Sequence, residues 1–329
     1  MNLPARGRRG LYGTRNSARN GGGRRRQRRD AAGMKGVCSL FIHDAETRPE
    51  SVRKGLTQAV AETTIHPPPL PVRRQARFGA WRVVVALMLR EMATSHGRSP
   101  GGYLWAVLEP VAGVALLSAI FSVALHQPGL GVCFPLFYAT GMLPFTMFGH
   151  LTAKLAQSME FSRPLLAFPG VTWRDALAAR FLLNTATQLM VSYVVFAGIL
   201  LIYRTRAVLD FGALIEAYAL CALLGLGFGT LNCLLQGLFP IWMHLWSILM
   251  RPMFIISTIF FLMETIPPPF RDWLWWNPLV HVIAILRRGI YPTYDASWAA
   301  PGYVALLGLG TLALGLLFLR RHHRAILLR

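Results

Sequence analysis

The pattern of polar and apolar positions changes abruptly between Arg90 and Pro110. Before this stretch the chain is polar and rich in arginine, whereas no Asp, Glu, Lys or Arg follows it until Lys154. The stretch contains the helix-breaking run Ser99-Pro100-Gly101-Gly102. Tyr103 and Trp105 come next, and such aromatic residues are expected at the depth of lipid headgroups. The pattern predicts that the chain enters a membrane here.

Six apolar runs follow, each near the roughly 20 residues that a helix needs to span a bilayer. The predicted spans cover about 105–125, 134–156, 176–203, 211–239, 245–263 and 303–319. Arginine and lysine accumulate in short cytoplasmic loops, and here they cluster before span one, between spans two and three, and after span six. An even number of spans puts these places on one side, so we expect both termini to be cytoplasmic. Five arginines fall on the opposite side, Arg204, Arg206, Arg271, Arg287 and Arg288, but the internal excess is larger.

The segment before span one has a different pattern. From Phe78 to Met92, apolar residues recur at three- and four-residue intervals and are interrupted by arginines. This predicts an amphipathic helix along the membrane surface. We therefore divide the chain into an N-terminal tail (1–76), an interface helix (77–98) and a membrane domain (99–329), and we predict an all-α polytopic protein.

Composition agrees with this class, because 54% of residues are hydrophobic and only 15% are charged. The net charge of +20 could indicate a nucleic-acid ligand. However, a large part of it lies in residues 1–75, which have the composition of a disordered tail, and the rest lies mostly at the ends of apolar runs. We expect no specific nucleic-acid partner. The tail is interpreted as solvated, or as residues upstream of the true start, with Met34 as a candidate internal start.

The segment from Ile266 to Trp298 fits neither a continuous span nor an open loop. Its prolines at 267–269 and 278 interrupt helical hydrogen bonding, yet residues 279–286 are too apolar for solvent. Short helices that re-enter the outer leaflet are consistent with both observations, provided that protein or a water-filled cavity supplies hydrogen bonds to their backbone groups. We expect Arg287 and Arg288 to end this dip at the outer surface. The tryptophans at 273, 275 and 276 are more typical of interface anchors than of ligand platforms.

The sequence lacks the motifs of several enzyme classes. No GxxxxGK[ST] loop precedes any of its three lysines, so we expect no ATP hydrolysis by the chain itself. No metal-ligand spacing, HExxH motif or Ser-His-acid arrangement is present. The four cysteines are interpreted as packing residues. We therefore predict a non-enzyme without a cofactor of its own.

A few ionisable or polar residues fall within the spans, where they are candidates for function. Glu109, Lys154 and Arg180 lie near predicted cytoplasmic ends, where such side chains can also reach solvent by snorkelling. Asn184 and Gln188, one helical turn apart, either line a polar path or bond to a neighbouring helix, and the second interpretation is favoured. No carboxylate lies at the centre of a span, which argues against a proton- or sodium-coupled carrier.

The loop from Phe161 to Arg180 combines arginines with apolar residues. Leu165, Leu166, Phe168 and Trp173 could form one side of a small amphipathic helix. Apolar residues displayed on a short cytoplasmic loop are suited to dock into a groove of a partner. If a partner supplies the energy for the function of this chain, we expect the partner to act through this loop.

Two motifs carry a resemblance to a known family. The run REMATSHGRSPGGYLWAVLEP at 90–110 resembles the entry to the first span of ABC-2 type exporter permeases, in particular the capsular polysaccharide exporters and their O-antigen relatives. Asn277-Pro278-Leu279-Val280-His281, followed by Arg287, resembles the segment before the last span of that family. The similarity extends from about Phe78 to the C-terminus.

The resemblance implies a homodimeric permease of the bacterial inner membrane, each subunit paired with a cytoplasmic subunit that binds ATP and Mg. The resemblance also implies that this permease exports capsular or related cell-surface polysaccharide, in cooperation with periplasmic and outer-membrane export proteins. It implies coupling to the ATPase through Arg163, Leu165, Leu166, Phe168, Trp173 and Arg174. It makes Tyr103, Trp105, Glu109, Phe254 and Phe260 candidates for the channel entrance and path, since sugar rings stack on aromatic faces, although these aromatics could equally face lipid. It implies a periplasmic gate that includes Trp273, Trp276, Asn277, Pro278 and Arg287.

Three other functions stay open at this point. An ABC-2 permease for a small molecule or lipid would be distinguished by its neighbouring genes, which would lack glycosyltransferases. A membrane enzyme acting on lipid-linked sugars would turn over without any ATPase. A secondary transporter would require inverted repeats or an ion site in mid-span, and the sequence shows neither.

Overall fold

The computed structural model describes residues 78–95, 102–124, 127–166, 171–203 and 209–328. Within these ranges the chain is all-helical, with ten α-helices and one 3-10 turn, Met263–Thr265, and without β-strands. The helices are α1 Phe78–Ser95, α2 Gly102–Ala124, α3 Phe134–Ala156, α4 Ser158–Leu166, α5 Trp173–Tyr203, α6 Phe211–Leu238, α7 Trp242–Ile256, α8 Phe270–Trp275, α9 Pro278–Ile290 and α10 Pro301–Leu328. The predicted tail (1–76) and most of the breaker run before α2 lie outside the described residues.

Four of these helices, α2, α5, α6 and α10, are long and apolar enough to cross a membrane. They correspond to predicted spans one, three, four and six. Helix α3 has the bounds predicted for span two but is not among the four, and it carries Thr140, His150, Thr152 and Lys154. Helix α7 has only 15 residues and ends at Ile256, before the predicted end of span five near Met263. A turn in which Thr258 has a φ of 57° follows α7 directly.

Helix α6 is the central packing element, with α3 on one side and α10 on another. A Cβ atom added at Gly227 would lie 2.3 Å from Thr311 Oγ1 and 2.5 Å from the carbonyl oxygen of Gly308 on α10. The bare Cα of Gly227 therefore allows the two backbones to approach closely. Close approach of this kind is a main source of helix association in lipid, where the hydrophobic effect between helices is weak.

The helix array has two distinct ends. At one end, which we call the α4 end, the C-termini of α3, α6 and α10 and the N-terminus of α5 surround α4. At the other, the α9 end, the short helix α9 packs against α3, α6 and α10. Every residue of α9 except Pro278 and Arg288 is buried, which agrees with the apolar sequence that excluded an open loop.

We expect Gly227→Ala to destabilise the protein by about 1–3 kcal/mol, because the added methyl group overlaps backbone atoms of α10. The measurement is thermal unfolding of the detergent-solubilised protein. Gly310→Ala on α10 is the matched control, since a Cβ atom there meets nothing within 4 Å. Equal melting temperatures for the two variants would contradict the close packing of α6 and α10.

Candidate functional site

Helix α4 and the first turn of α5 carry the predicted coupling residues. A single turn residue, Gln157, separates α3 from α4, so α4 directly continues the end of α3. Arg163 is exposed, and Leu165 and Leu166 are half-buried. Trp173 and Arg174 begin α5 and so do not share a helix with the leucines, while Phe168 lies outside the described residues.

Two of the predicted docking residues also pack within the chain. Leu166 and Trp173 contact a buried cluster formed by Met159, Cys233, Leu234 and Leu319. The Trp173 ring also lies 6.1 Å from the His323 ring of α10, between ring centroids. Both side chains are half-buried, so these contacts cover part of the apolar surface that was expected to dock to a partner. The exposed remainder of this surface is mainly charged, with Glu160, Arg163, Pro164 and Arg174.

Trp105 and Glu109 line a cleft of about 630 Å³ between α2, α3 and α5. They are four residues apart and so share one face of α2. The other polar side chains of the cleft are His150 and Lys154 from α3 and Asn184, Thr187 and Gln188 from α5. The side chain of Tyr103 lies outside the described part of the chain.

The polar residues of the cleft have few partners. Asn184 Nδ2 donates a hydrogen bond of 2.8 Å to the carbonyl oxygen of Arg180 in its own helix. Within the described ranges it has no hydrogen bond to a neighbouring helix, although the favoured interpretation predicted one. Among the described residues, no hydrogen bond or ion pair involves the side chains of Glu109, His150, Lys154 or Gln188. The cleft therefore presents a carboxylate, an ammonium group, an imidazole and an amide that are all available to a ligand or to water.

Phe254 and Phe260 lie in a different region from this cleft. Their ring centroids are 5.3 Å apart, and Phe254 packs edge-on against Phe145 at 5.2 Å. Phe260 continues the cluster toward Phe121, at 5.6 Å, and Tyr138, at 6.5 Å. The predicted path residues therefore lie in two places. Trp105 and Glu109 line the polar cleft, whereas Phe254 and Phe260 belong to an aromatic cluster at the end of α7.

At the α9 end, the predicted gate residues differ in their environment. Trp273 and Trp276 are 79% and 69% exposed, as expected for interface anchors. Asn277 is buried and caps α9, because its Oδ1 accepts from the backbone N–H of Leu279 at 3.1 Å. Its Nδ2 donates to Ser257 Oγ at 3.2 Å, which connects α9 to the end of α7. Pro278 occupies the first turn of α9, where the missing N–H costs nothing.

His281 joins α9 to the segments on both of its sides. Its Nδ1 accepts from the backbone N–H of Ala300 at 3.2 Å. The proton of a neutral ring then resides on Nε2, which donates to the carbonyl oxygen of Trp275 at 2.7 Å. The sequence indicated His281 only as part of the family motif. A single histidine in an apolar helix does not by itself predict that its ring bridges two other segments.

Arg287 is fully buried, so the expectation that it ends the dip at the outer surface is wrong. Its guanidinium donates to the carbonyl oxygens of Phe261 at 3.1 Å and Ile259 at 3.2 Å, and its Nε donates to Thr140 Oγ1 at 3.3 Å. Its Cζ lies 4.5 Å from the centroid of the Phe137 ring. These partners supply the hydrogen bonds that a buried cation requires. Arg288 is exposed and forms an ion pair of 3.1 Å with Glu216.

Glu264, in the 3-10 turn Met263–Thr265, hydrogen-bonds to two aromatic side chains of the segment before α10. Its Oε1 accepts from Trp298 Nε1 at 2.7 Å and from the Tyr294 hydroxyl at 3.0 Å. Burial raises the pKa of Tyr294, and the Glu264 carboxylate raises it further, so the phenol keeps its proton at physiological pH. The Glu264 carboxylate thus connects the 3-10 turn Met263–Thr265 to the segment between α9 and α10.

The long apolar helices and the buried short helix define the chain as a helical, polytopic membrane protein. The model of the family described as "ABC-2 type transporter" matches residues 82–291. The chain is also 31% identical over 244 residues to the polysialic acid transport protein KpsM of Escherichia coli, which covers 74% of this chain and 95% of that relative. The chain belongs to the ABC-2 type transporter family.

Two further relatives are named for capsule export. The capsule polysaccharide export inner-membrane protein CtrC of Neisseria meningitidis serogroup B is 24% identical over 245 residues, covering 74% of this chain and 92% of that protein. The capsule polysaccharide export inner-membrane protein BexB of Haemophilus influenzae is 24% identical over 253 residues, with the same coverage. The family is one of transport permeases and is not itself catalytic.

We expect Arg287→Leu to lower the unfolding free energy by about 3 kcal/mol or more, because it leaves two buried carbonyl groups without a donor. Arg288→Leu removes a solvent-exposed ion pair and should cost no more than about 1 kcal/mol. Thermal unfolding of both variants in detergent tests this difference. Equal losses of stability would show that the buried contacts of Arg287 contribute nothing specific.

Proposed function

We propose that this chain is the permease subunit of an ATP-driven exporter that moves capsular or related cell-surface polysaccharide from the cytoplasm to the periplasm. The single observation that carries the proposal is the alignment with KpsM, which extends over 95% of that relative's length. An alignment of 244 residues is far longer than one shared motif. The names of the other two relatives refer to the same cargo class and to the inner membrane.

The proposed topology has six spans and two cytoplasmic termini. In addition to the four long helices, it assigns a span to α3, which has 23 residues, and to α7 with the irregular segment that follows it. Alone, α7 would extend about 22 Å, less than the roughly 30 Å of a hydrocarbon core. Helices α8 and α9 would then be the re-entrant elements. The distribution of exposed cations supports this orientation, with Lys154, Arg163, Arg174, Arg320 and Arg321 at the α4 end.

In this topology, the polar cleft opens toward the cytoplasmic half of the membrane. A polysaccharide presents many hydroxyl groups and, in anionic polymers, carboxylates or phosphates. The free amide, carboxylate and ammonium groups of the cleft can hydrogen-bond to such units, and Trp105 offers a flat surface for a sugar ring. We assign Trp105 and Glu109 to the entrance, and Phe254 and Phe260 to a later part of the path. A homodimer would place two such surfaces opposite one another.

The energy for export would come from a separate subunit that binds ATP and Mg, since this chain has no nucleotide-binding loop. The surface of α4 and the first turn of α5 is the proposed docking site. Its exposed groups, Glu160, Arg163 and Arg174, favour a contact guided by charge more than an apolar groove contact. At the other end, Trp273 and Trp276, together with α9, would form the periplasmic gate that leads to the periplasmic and outer-membrane export proteins.

The function is tested by deleting the gene and quantifying polysaccharide on the cell surface. We expect loss of surface polymer and its accumulation inside the cell, with rescue by the full-length chain and by a version starting at Met34. Unchanged surface polymer in the deletion strain would contradict export. Loss of the polymer from both compartments would instead indicate an enzyme of synthesis.

The docking surface is tested by Arg174→Glu, which reverses one exposed charge. We expect normal abundance in the membrane but a loss of stimulated ATP hydrolysis of about tenfold, because like charges across an interface are costly. Arg321→Glu reverses an exposed charge on α10 and is the matched control. Wild-type ATP hydrolysis in the Arg174 variant would exclude this surface as the site of coupling.

A further inference from the structure

Arg180 on α5 contacts three other helices through one buried side chain. Its Nε lies 3.1 Å from Glu91 Oε1 of α1, and the two side chains are only 5% and 6% exposed. Its Nη1 donates a hydrogen bond of 2.7 Å to the carbonyl oxygen of Lys154 in the last turn of α3. Its Cζ lies 4.3 Å from the centroid of the Phe161 ring on α4.

Each of these contacts answers a physical requirement. A buried guanidinium needs a counter-charge, and Glu91 supplies it. The carbonyl of Lys154 is among those at the end of α3 that lack a partner within the helix, and a cation at a helix C-terminus is favourable. The Phe161 ring accepts the flat face of the guanidinium, while Arg90 of α1 approaches the same ring at 5.4 Å. Only an arginine has the planar, multiply donating group that meets all three requirements.

Arg180 is also connected directly to the polar cleft. Its side chain holds the backbone of Lys154, whose ammonium group lines the cleft, and its own carbonyl oxygen accepts from Asn184 Nδ2, another lining residue. A displacement of α4 that moves Phe161 therefore acts on both α3 and α5 at the edge of the cleft. Coupling of this kind requires contiguous contacts that both sites can bias.

We propose that Arg180 is the positioning residue that transmits movement of α4 to the polar cleft, so that docking of the ATP-binding subunit and the shape of the cleft are linked. This inference rests on the proposed function, since it takes α4 as the docking element. Arg180 contacts neither nucleotide nor polymer. Its role is to make α1, α3, α4 and α5 move as one unit at the α4 end.

The decisive variant is Arg180→Lys, which keeps the positive charge beside Glu91 but cannot also stack on Phe161 and donate to the Lys154 carbonyl. Three quantities are measured: co-purification with the ATP-binding subunit, ATP hydrolysis by the purified complex, and surface polymer per cell. We expect wild-type co-purification and basal ATP hydrolysis, with about a fivefold or greater fall in surface polymer. Phe161→Leu, which keeps the ion pair, should reduce export in the same direction without affecting assembly.

Arg288→Lys is the matched control, because it makes the same substitution in an exposed ion pair of the same length and should leave all three quantities unchanged. Wild-type export in Arg180→Lys or in Phe161→Leu would overturn the proposal. A parallel loss of assembly, hydrolysis and export in Arg180→Lys would also overturn it, because that result indicates a purely structural ion pair. Failure of the proposed function is distinguishable, since the wild-type chain itself would then neither bind an ATP-binding subunit nor support export.

Discussion

The irregular backbone between α7 and α10 depends on α9 for its hydrogen bonds. Non-helical backbone at membrane depth is tolerated only where protein or a water-filled cavity satisfies its polar groups. Three side chains of the α9 segment meet this need: Asn277 bonds to Ser257, His281 to the backbone of Trp275 and Ala300, and Arg287 to the carbonyls of Ile259 and Phe261. Asn277, His281 and Arg287 carry the family resemblance in this segment. In the structure, the same three residues connect the irregular segments before and after α9 to this buried helix.

A second buried arginine, Arg180 on α5, has the same chemical task at the opposite end, but its partners lie on three other helices, α1, α3 and α4. Arg287 has no carboxylate within ion-pair distance among the described residues and relies on carbonyl oxygens, whereas Arg180 is paired with Glu91. This contrast fits two different roles. One arginine fixes a region that must keep an irregular shape, and the other joins helices that would have to move together in a transport cycle.

Local sequence was sufficient to locate most of the helices but not all of their boundaries, and the end of α7 is the clearest example. The bounds of α3 and the positions of α2, α5, α6 and α10 follow from long apolar runs with turn residues between them, because length and polarity alone decide such elements. The end of α7 at Ile256 has no such signal, since the sequence after it contains no glycine or proline until Pro267. The turn at Thr258 is stabilised by Arg287 and Asn277, which lie about 20 to 30 residues further along the chain.

The class of protein and the family resemblance followed from the sequence alone, because hydrophobicity and local motifs are properties of single segments. The sequence also placed Asn184 and Gln188 on one face of α5, since a spacing of four is one helical turn. Only the tertiary structure decided which side chains share the polar cleft with them, that Leu166 and Trp173 contact a buried cluster between helix ends, and that Arg287 is buried. These outcomes depend on contacts between residues far apart in the chain, such as Arg287 with Thr140 and Arg180 with Glu91, and no local pattern encodes such pairs.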